Sequence, residues 1–315
     1  MDFRVLIKIL VTLALFVFIF YSIDINSTLK IIKNLSFYYF VMSLIVLVLQ
    51  TFIASIRWQN VLKSLQMHIP YLTILKFQWI AIFFNQSLPS SIGGDAFRGY
   101  YLHREGFSVN KSALGVLLDR FLGVIGLTTI VIFTLPLLFN LINDSMARHG
   151  MILVAIGMLL LIFIILLLDF FSFLPPRWKI IRGMHSLSKE GRKIILSFSP
   201  GIFLVLISVV IHFLSVLSIV ILSYGIQLNL EWSKVLLIVP LVTLVMIVPI
   251  SIAGWGVREG AMVVGLGYMG VLQEEALALS LLYGVSLLML SFPGLVMWFL
   301  KYRSVDDKTE DNKLQ

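Results

Sequence analysis

The chain has 315 residues, 59% of them hydrophobic and 13% charged, and 24 Lys and Arg against 16 Asp and Glu leave a net charge of +8. Its mean hydropathy of +1.01 excludes a soluble globule, in which apolar residues make up only about 45 to 50%. The absence of cysteine excludes disulfides, thiolate metal sites and cysteine nucleophiles, and no basic patch sits on a soluble segment large enough to bind nucleic acid.

Arg4 and Lys8 flank the start of the first apolar run as in a signal peptide, but no small-residue cleavage site follows Tyr21, so the run reads as a retained span. Runs long enough to cross a ~30 Å hydrocarbon core cover 5–23, 35–56, 113–139, 151–173, 201–224 and 275–299. Two more, 71–88 and 235–253, each lead into a segment rich in glycine, proline and charge. They either cross, giving eight full spans, or enter and return as re-entrant hairpins beside six full spans.

Loop charge separates these alternatives, because Lys and Arg collect in short cytoplasmic loops. With eight crossings and the N-terminus inside, nine Lys and Arg lie inside and eleven outside, among them the cluster Arg177, Lys179, Arg182, Lys189, Arg192 and Lys193. With two re-entrant segments, 57–111 and 174–199 become cytoplasmic, sixteen lie inside, and Lys30, Lys33, Arg148 and Lys234 remain outside. The second arrangement obeys the rule and leaves both termini cytoplasmic. It reads the basic cluster as a topogenic loop that also attracts anionic headgroups.

The two breaker-rich segments match each other. Pro89, Ser91, Ile92, Gly94 and Arg98 recur 160 residues later as Pro249, Ser251, Ile252, Gly254 and Arg258. Each half then has two spans, a re-entrant motif and a closing span, and the halves start on opposite sides, which defines an inverted repeat. The expected fold is an all-α polytopic membrane bundle, 1–300, with repeats at about 1–140 and 150–300 and a polar cytoplasmic tail, 301–315.

A charged side chain at the membrane centre costs ~2.5 kcal/mol or more, so Asp95, Arg98, Asp119, Arg120, Arg258 and Glu259 need partners or water and are the leading site residues. Asp119 and Arg120 are helix neighbours pointing about 100° apart, so each is expected to pair with another element, Asp119 with Arg98 or Arg258. Two roles are open: guanidinium groups that bind a phosphate, or ion pairs that clamp the hairpins. Gly93, Gly94, Gly254 and Gly256 permit positive φ and close backbone approach, either to cradle an anion with free amides or to let half-helices pack. Gly256 and Gly260 form a small-residue pair that favours packing. His212 lies mid-span beside Ser208 and Ser215 and reads as hydrogen-bonded rather than as a proton relay. Trp58, Trp79, Trp178, Trp232 and Trp298, near span ends, read as interfacial anchors. Motifs of hydrolases, ATPases and metalloenzymes do not occur, so no catalytic residue, metal or cofactor is expected.

Asn-x-x-Leu-Pro-x-x-Ile-Gly-Gly-Asp-x-x-Arg at 85–98, Leu-Leu-Asp-Arg at 117–120 and Pro-x-Ser-x-x-Gly-x-Gly-x-Arg-Glu at 249–259 resemble the transmembrane, flippase-like domain of the lysylphosphatidylglycerol synthetase family. The resemblance covers nearly the whole chain. It implies a multi-pass inner-membrane protein that translocates a phospholipid, typified by aminoacylated phosphatidylglycerol. By motif position it points to Asn85, Pro89, Gly93, Gly94, Asp95, Arg98, Asp119, Arg120, Gly254, Gly256, Arg258 and Glu259, and the repeat adds Pro249 and Ser251. The second motif departs from the family in carrying Ala253-Gly254 where many relatives have Gly-Gly. Only a short polar tail follows Arg303, so the soluble aminoacyl-transferase module is expected to be missing and the chain is not read as an enzyme. The expected partners are membrane phospholipids. The alternative reading is an accessory subunit for a separate lipid-modifying transferase or a polyprenyl-phosphate glycosyltransferase system.

Overall fold

The computed structural model describes residues 3–88, 93–170, 179–247 and 251–311. Among these there is no strand; twelve α-helices follow one another, and their order carries the architecture. The helices α1 (Phe3–Ser22) and α2 (Ile25–Lys33) meet at a 92° bend, where the Asp24 carboxylate accepts from the Asn26 amide at 2.9 Å and fixes the start of α2. Then come α3 (Phe37–Ser64), the pair α4 (Tyr71–Ser87) and α5 (Gly93–Arg104), and α6 (Val109–Leu141). The second half runs through α7 (Ser145–Leu167), α8 (Lys179–Ile195), α9 (Phe198–Gly225), the pair α10 (Trp232–Met246) and α11 (Val257–Gly267), and α12 (Gln273–Asp311).

Five helices, α3, α6, α7, α9 and α12, are each long and apolar enough to span a membrane, and α1 and α2 add a sixth when the bent pair is counted as one span. The five coincide with the expected spans from 35–56 onward, and α1 with the expected run 5–23. Of the five remaining helices, four make up the pairs α4–α5 and α10–α11 and are short. With 17 and 12 residues, α4 and α5 extend roughly 26 and 18 Å, and α10 and α11, with 15 and 11, are shorter still, so none matches a ~30 Å core. α4 packs against α5, and α10 against α11. The eight-span alternative is therefore not the one the chain adopts; the segments fold into helical hairpins. The expected polar tail is also helical as far as Asp311, as a continuation of α12.

Packing follows an exchange rule. α4 lies on α12, and α10 on α6; α5 lies on α6, and α11 on α12; α3 touches α4, and α9 touches α10; α2 touches α12, and α8 touches α6. Swapping α2 with α8, α3 with α9, α4 with α10, α5 with α11 and α6 with α12 maps these contacts onto one another. The α3–α9 contact maps onto itself, and its hydrogen bonds fix its direction. Ser43 Oγ meets Ser218 Oγ at 2.7 Å, Gln50 Nε2 donates to Ser215 Oγ at 2.7 Å, and Arg57 Nη1 donates to Ser208 Oγ at 3.2 Å, so numbers rise along α3 as they fall along α9. α3 and its counterpart α9 thus run antiparallel, the relation that inverted repeats require.

Each hairpin sits in its own apolar cluster. Trp58, Leu62, Phe77, Phe84, Tyr101 and Leu122 enclose the first, and Val131, Val216, Leu237, Leu244, Met262 and Leu266 enclose the second. Small residues allow the closest crossings. A Cβ on Gly126 of α6 would lie 2.7 Å from the backbone of Ser208 on α9, and one on Gly294 of α12 would lie 2.0 Å from the Trp79 carbonyl oxygen on α4.

Candidate functional site

The first hairpin is pinned at its tip from both sides. Asn85, near the end of α4, accepts the Gly94 amide in the first turn of α5 at 2.9 Å, and a Cβ on Gly94 would lie 2.1 Å from the Ala81 carbonyl oxygen. Below the tip, Phe84 stacks on Phe97 and Phe77 stacks on Tyr101, lacing the two helices. Gly93 and Gly94 had two open roles, an anion cradle with positive φ and free amides or close packing of half-helices. Both are helical, and the Gly94 amide is engaged by Asn85, so their role is close approach. Pro89 lies outside the described residues.

This hairpin brings Asp95 and Arg98 against α3 and α6. The Asp119 carboxylate is divided between two guanidinium groups, accepting from Arg57 Nε on Oδ1 at 2.8 Å and from Arg98 Nη2 on Oδ2 at 2.7 Å. Asp95 repeats the pattern, with Arg98 Nη1 3.4 Å from Oδ1 and Arg120 Nε bonded to Oδ2. The result is a chain in the order Arg57, Asp119, Arg98, Asp95, Arg120, in which each carboxylate joins two cations. Among the described residues three guanidinium groups meet two carboxylates, one positive charge more than negative. The chain runs from inside to outside: the Asp119 side chain is 4% exposed, and that of Arg120 is 38% exposed.

Two donors have no acceptor here among the described residues. The Arg98 guanidinium lies 3.8 Å from the centre of the Trp58 ring, and both Arg98 Nε and the Trp58 indole nitrogen are buried with no hydrogen-bond partner. Both are N–H groups, so an acceptor, and an anionic one given the surplus charge, is what would satisfy them.

The second hairpin is built differently. Arg258 Nε and Nη2 donate to Glu259 Oε1 at 3.0 and 2.6 Å, although the two residues are adjacent in sequence. Glu259 Oε2 accepts the Gly256 amide at 2.6 Å, and Ser280 of α12 donates to Oε1 at 3.2 Å. Gly256 takes φ of +83° to begin α11, which directs its amide at Glu259, and Gly254 before it takes +80°. Arg258 is stacked 4.6 Å from the Trp255 ring centre, and a Cβ on Gly284 would lie 2.1 Å from its Nη2. Here one cation faces one anion and the carboxylate is saturated. The Ser251 hydroxyl is buried without a partner among the described residues, which leave out Pro249. Gly260 faces open space, so the expected Gly256–Gly260 packing pair does not form.

The structure brings Asn85, Gly94, Asp95, Arg98, Asp119 and Arg120 together. Arg258 and Glu259 form a separate centre in the second hairpin, where the bonds of Arg258 are to Glu259. Asp119 meets Arg98, as expected, and also Arg57, which sequence reasoning had assigned to a loop. Arg57 is 8% exposed on α3, one residue past the expected end of its span, and Gly123 leaves room for its guanidinium. Trp58 and Trp79 are buried, not interfacial; Trp178 lies outside the described residues. His212 is hydrogen-bonded at 2.9 Å to the Gly123 carbonyl, not to either serine. The basic cluster expected as a loop is mostly helix α8, held to the end of α7 by a two-pronged bond from Arg192 to Asp169 at 2.7 and 2.6 Å.

A sequence model described as the lysylphosphatidylglycerol synthase TM region matches residues 5–294. No curated protein matches the chain.

Proposed function

The chain belongs to the lysylphosphatidylglycerol synthase transmembrane-region family, a multi-pass membrane family tied to membrane lipids, and from that premise we propose that it translocates a phospholipid across the cell's inner membrane. The observation that carries the reading is the surplus positive charge of the first hairpin together with the two buried N–H donors of Arg98 and Trp58. A phospholipid phosphate supplies both missing quantities, a negative charge and several acceptor oxygens.

In this reading the headgroup reaches the chain at Arg120, the exposed end, and then at Arg98. The phosphate competes with Asp95 and Asp119 for the guanidinium groups, which exchange one oxyanion for another instead of leaving a charge bare in the membrane. Exchange among like partners keeps the cost of loading and release low. The second hairpin, already neutral, acts as the fixed counterpart that closes the opposite side. This division favours the clamp role for Arg258 and Glu259 and the binding role for Arg98. Both termini are cytoplasmic, the loops with most Lys and Arg lie inside, and aminoacylated phosphatidylglycerol is the type substrate. The proposal assigns no bond-making chemistry to the chain.

The test is translocation of fluorescent phosphatidylglycerol and its lysyl form in proteoliposomes. Arg98→Lys keeps the charge and removes the forked donor set, so the protein is expected to accumulate normally and to lose at least about tenfold in rate, the loss expected when charge-assisted hydrogen bonds go. Arg258→Ala is expected to reduce the amount of folded protein, because it strands Glu259 without its cation. Transport of wild-type rate by Arg98→Lys, or no transport of any anionic or aminoacylated lipid by the wild type, would defeat the proposal.

A further inference from the structure

Outside the hairpins, a cavity of about 820 Å³ opens between the start of α6 and the first turns of α8. Lys111 lines it from α6 and Arg182 from α8, and the described residues that line it include no acidic side chain. Its floor is apolar. Val109, Ala113 and Leu117 also line it and, four residues apart, form one stripe on α6 that runs about 12 Å from the helix start toward the membrane interior. Val109 is 62% exposed and Leu117 45% exposed, so the stripe is open along its length. The α8 wall is held in place by the Arg192 to Asp169 bond and by the Ser188 hydroxyl, which donates to Asp169 at 2.7 Å.

We propose that this groove holds one anionic phospholipid from the leaflet on the α8 side. Its phosphate lies between Lys111 and Arg182 and one acyl chain lies along Val109, Ala113 and Leu117. Two cations from separate elements line the groove near the start of α6, where Ser108 Oγ accepts the Lys111 amide at 3.4 Å and the helix end still presents its positive dipole, and both features favour an oxyanion. The apolar stripe below the rim decides between a lipid and a soluble phosphate, because a free phosphate has nothing to place there. The assignment concerns binding and stands whether or not the chain transports lipid.

The experiment uses the full chain in phosphatidylcholine nanodiscs doped with phosphatidylglycerol that carries a photoreactive group in one acyl chain, with adducts mapped by mass spectrometry. Labelling is expected within 109–117. Each basic side chain near an anionic lipid contributes roughly fivefold, so Lys111→Gln with Arg182→Gln is expected to cut the labelling about 25-fold. Lys111→Arg is expected to retain it. Persistence of the label in the Arg98→Lys protein would support the groove as a site separate from the first hairpin, and a wild type that carries the label but moves no lipid would count only against transport. Equal labelling by a phosphatidylcholine probe, unchanged labelling in the double variant, or displacement of the lipid by millimolar glycerol phosphate would each overturn the proposal.

Discussion

Trp58 combines two properties that pull in opposite directions: its ring is fully buried beneath Arg98, and its indole N–H has no acceptor among the described residues. An unmet buried donor costs about 1 to 3 kcal/mol, so a purely structural residue here would be improved by losing the nitrogen. Trp58→Phe separates the two roles. If the N–H serves a phosphate, the variant is expected to melt within a few degrees of wild type while translocation falls by about tenfold, read by thermal unfolding and by the proteoliposome assay together. A variant that transports as well as wild type would show that the donor is an orphan of packing. The motif charges were legible in the sequence because a membrane makes each of them conspicuous. Arg57 was not, since it follows the last apolar residue of its run, where an arginine ordinarily marks the start of a loop. Only the fold turns it inward, toward Asp119. The conformations of the glycines were half legible: Gly254 and Gly256 do adopt positive φ, but Gly93 and Gly94 accept close contact within a regular helix.

At the level of elements, the long spans could be read from apolar length alone, because hydrocarbon thickness dictates it. The amphipathic helix α8 could not be read that way. Its apolar residues Ile180, Ile181, Met184, Leu187, Ile194 and Ile195 keep one helical face, but basic residues between them give it the look of a charged loop. Its anchoring bond is a partly exposed ion pair between Arg192 and Asp169, with side chains 24% and 17% exposed. Such a pair contributes modestly, but three hydrogen bonds from Arg192 converge on Asp169 and the Leu166 carbonyl. Arg192→Ala is expected to raise amide exchange across 179–195 by about tenfold while leaving α3 and α9 protected, as measured by hydrogen–deuterium exchange. Unchanged exchange in α8 would mean that its apolar face alone holds it. The hairpins were anticipated as breaks in the pattern, yet the helical character of α5 was masked by the glycines that open it.

Across the whole molecule, the repeat was visible because both copies keep Pro, Ser, Ile, Gly and Arg at one offset, whereas the correspondence of α2 with α8 left no trace in residue identity. The chain contains no cysteine, so single replacements report sidedness directly. His68→Cys, His103→Cys and Ser186→Cys are expected to react with an impermeant maleimide only after permeabilisation, and Glu231→Cys and Gln273→Cys in intact cells. His68 and His103 flank the first hairpin, so reaction from opposite sides would mean that this segment crosses the membrane after all. The same molecule also carries a mechanical asymmetry. The α4 backbone is pressed between glycines on two sides, Gly94 against the Ala81 carbonyl and Gly294 against the Trp79 carbonyl. Contacts so close leave no clearance for α4 to slide on α5 or α12, and these three helices form one stiff block. The corresponding helix of the second hairpin, α10, is met by Gly265 of α11 through the Ile238 side chain and not through its backbone, so the two hairpins differ in how tightly their first helix is seated.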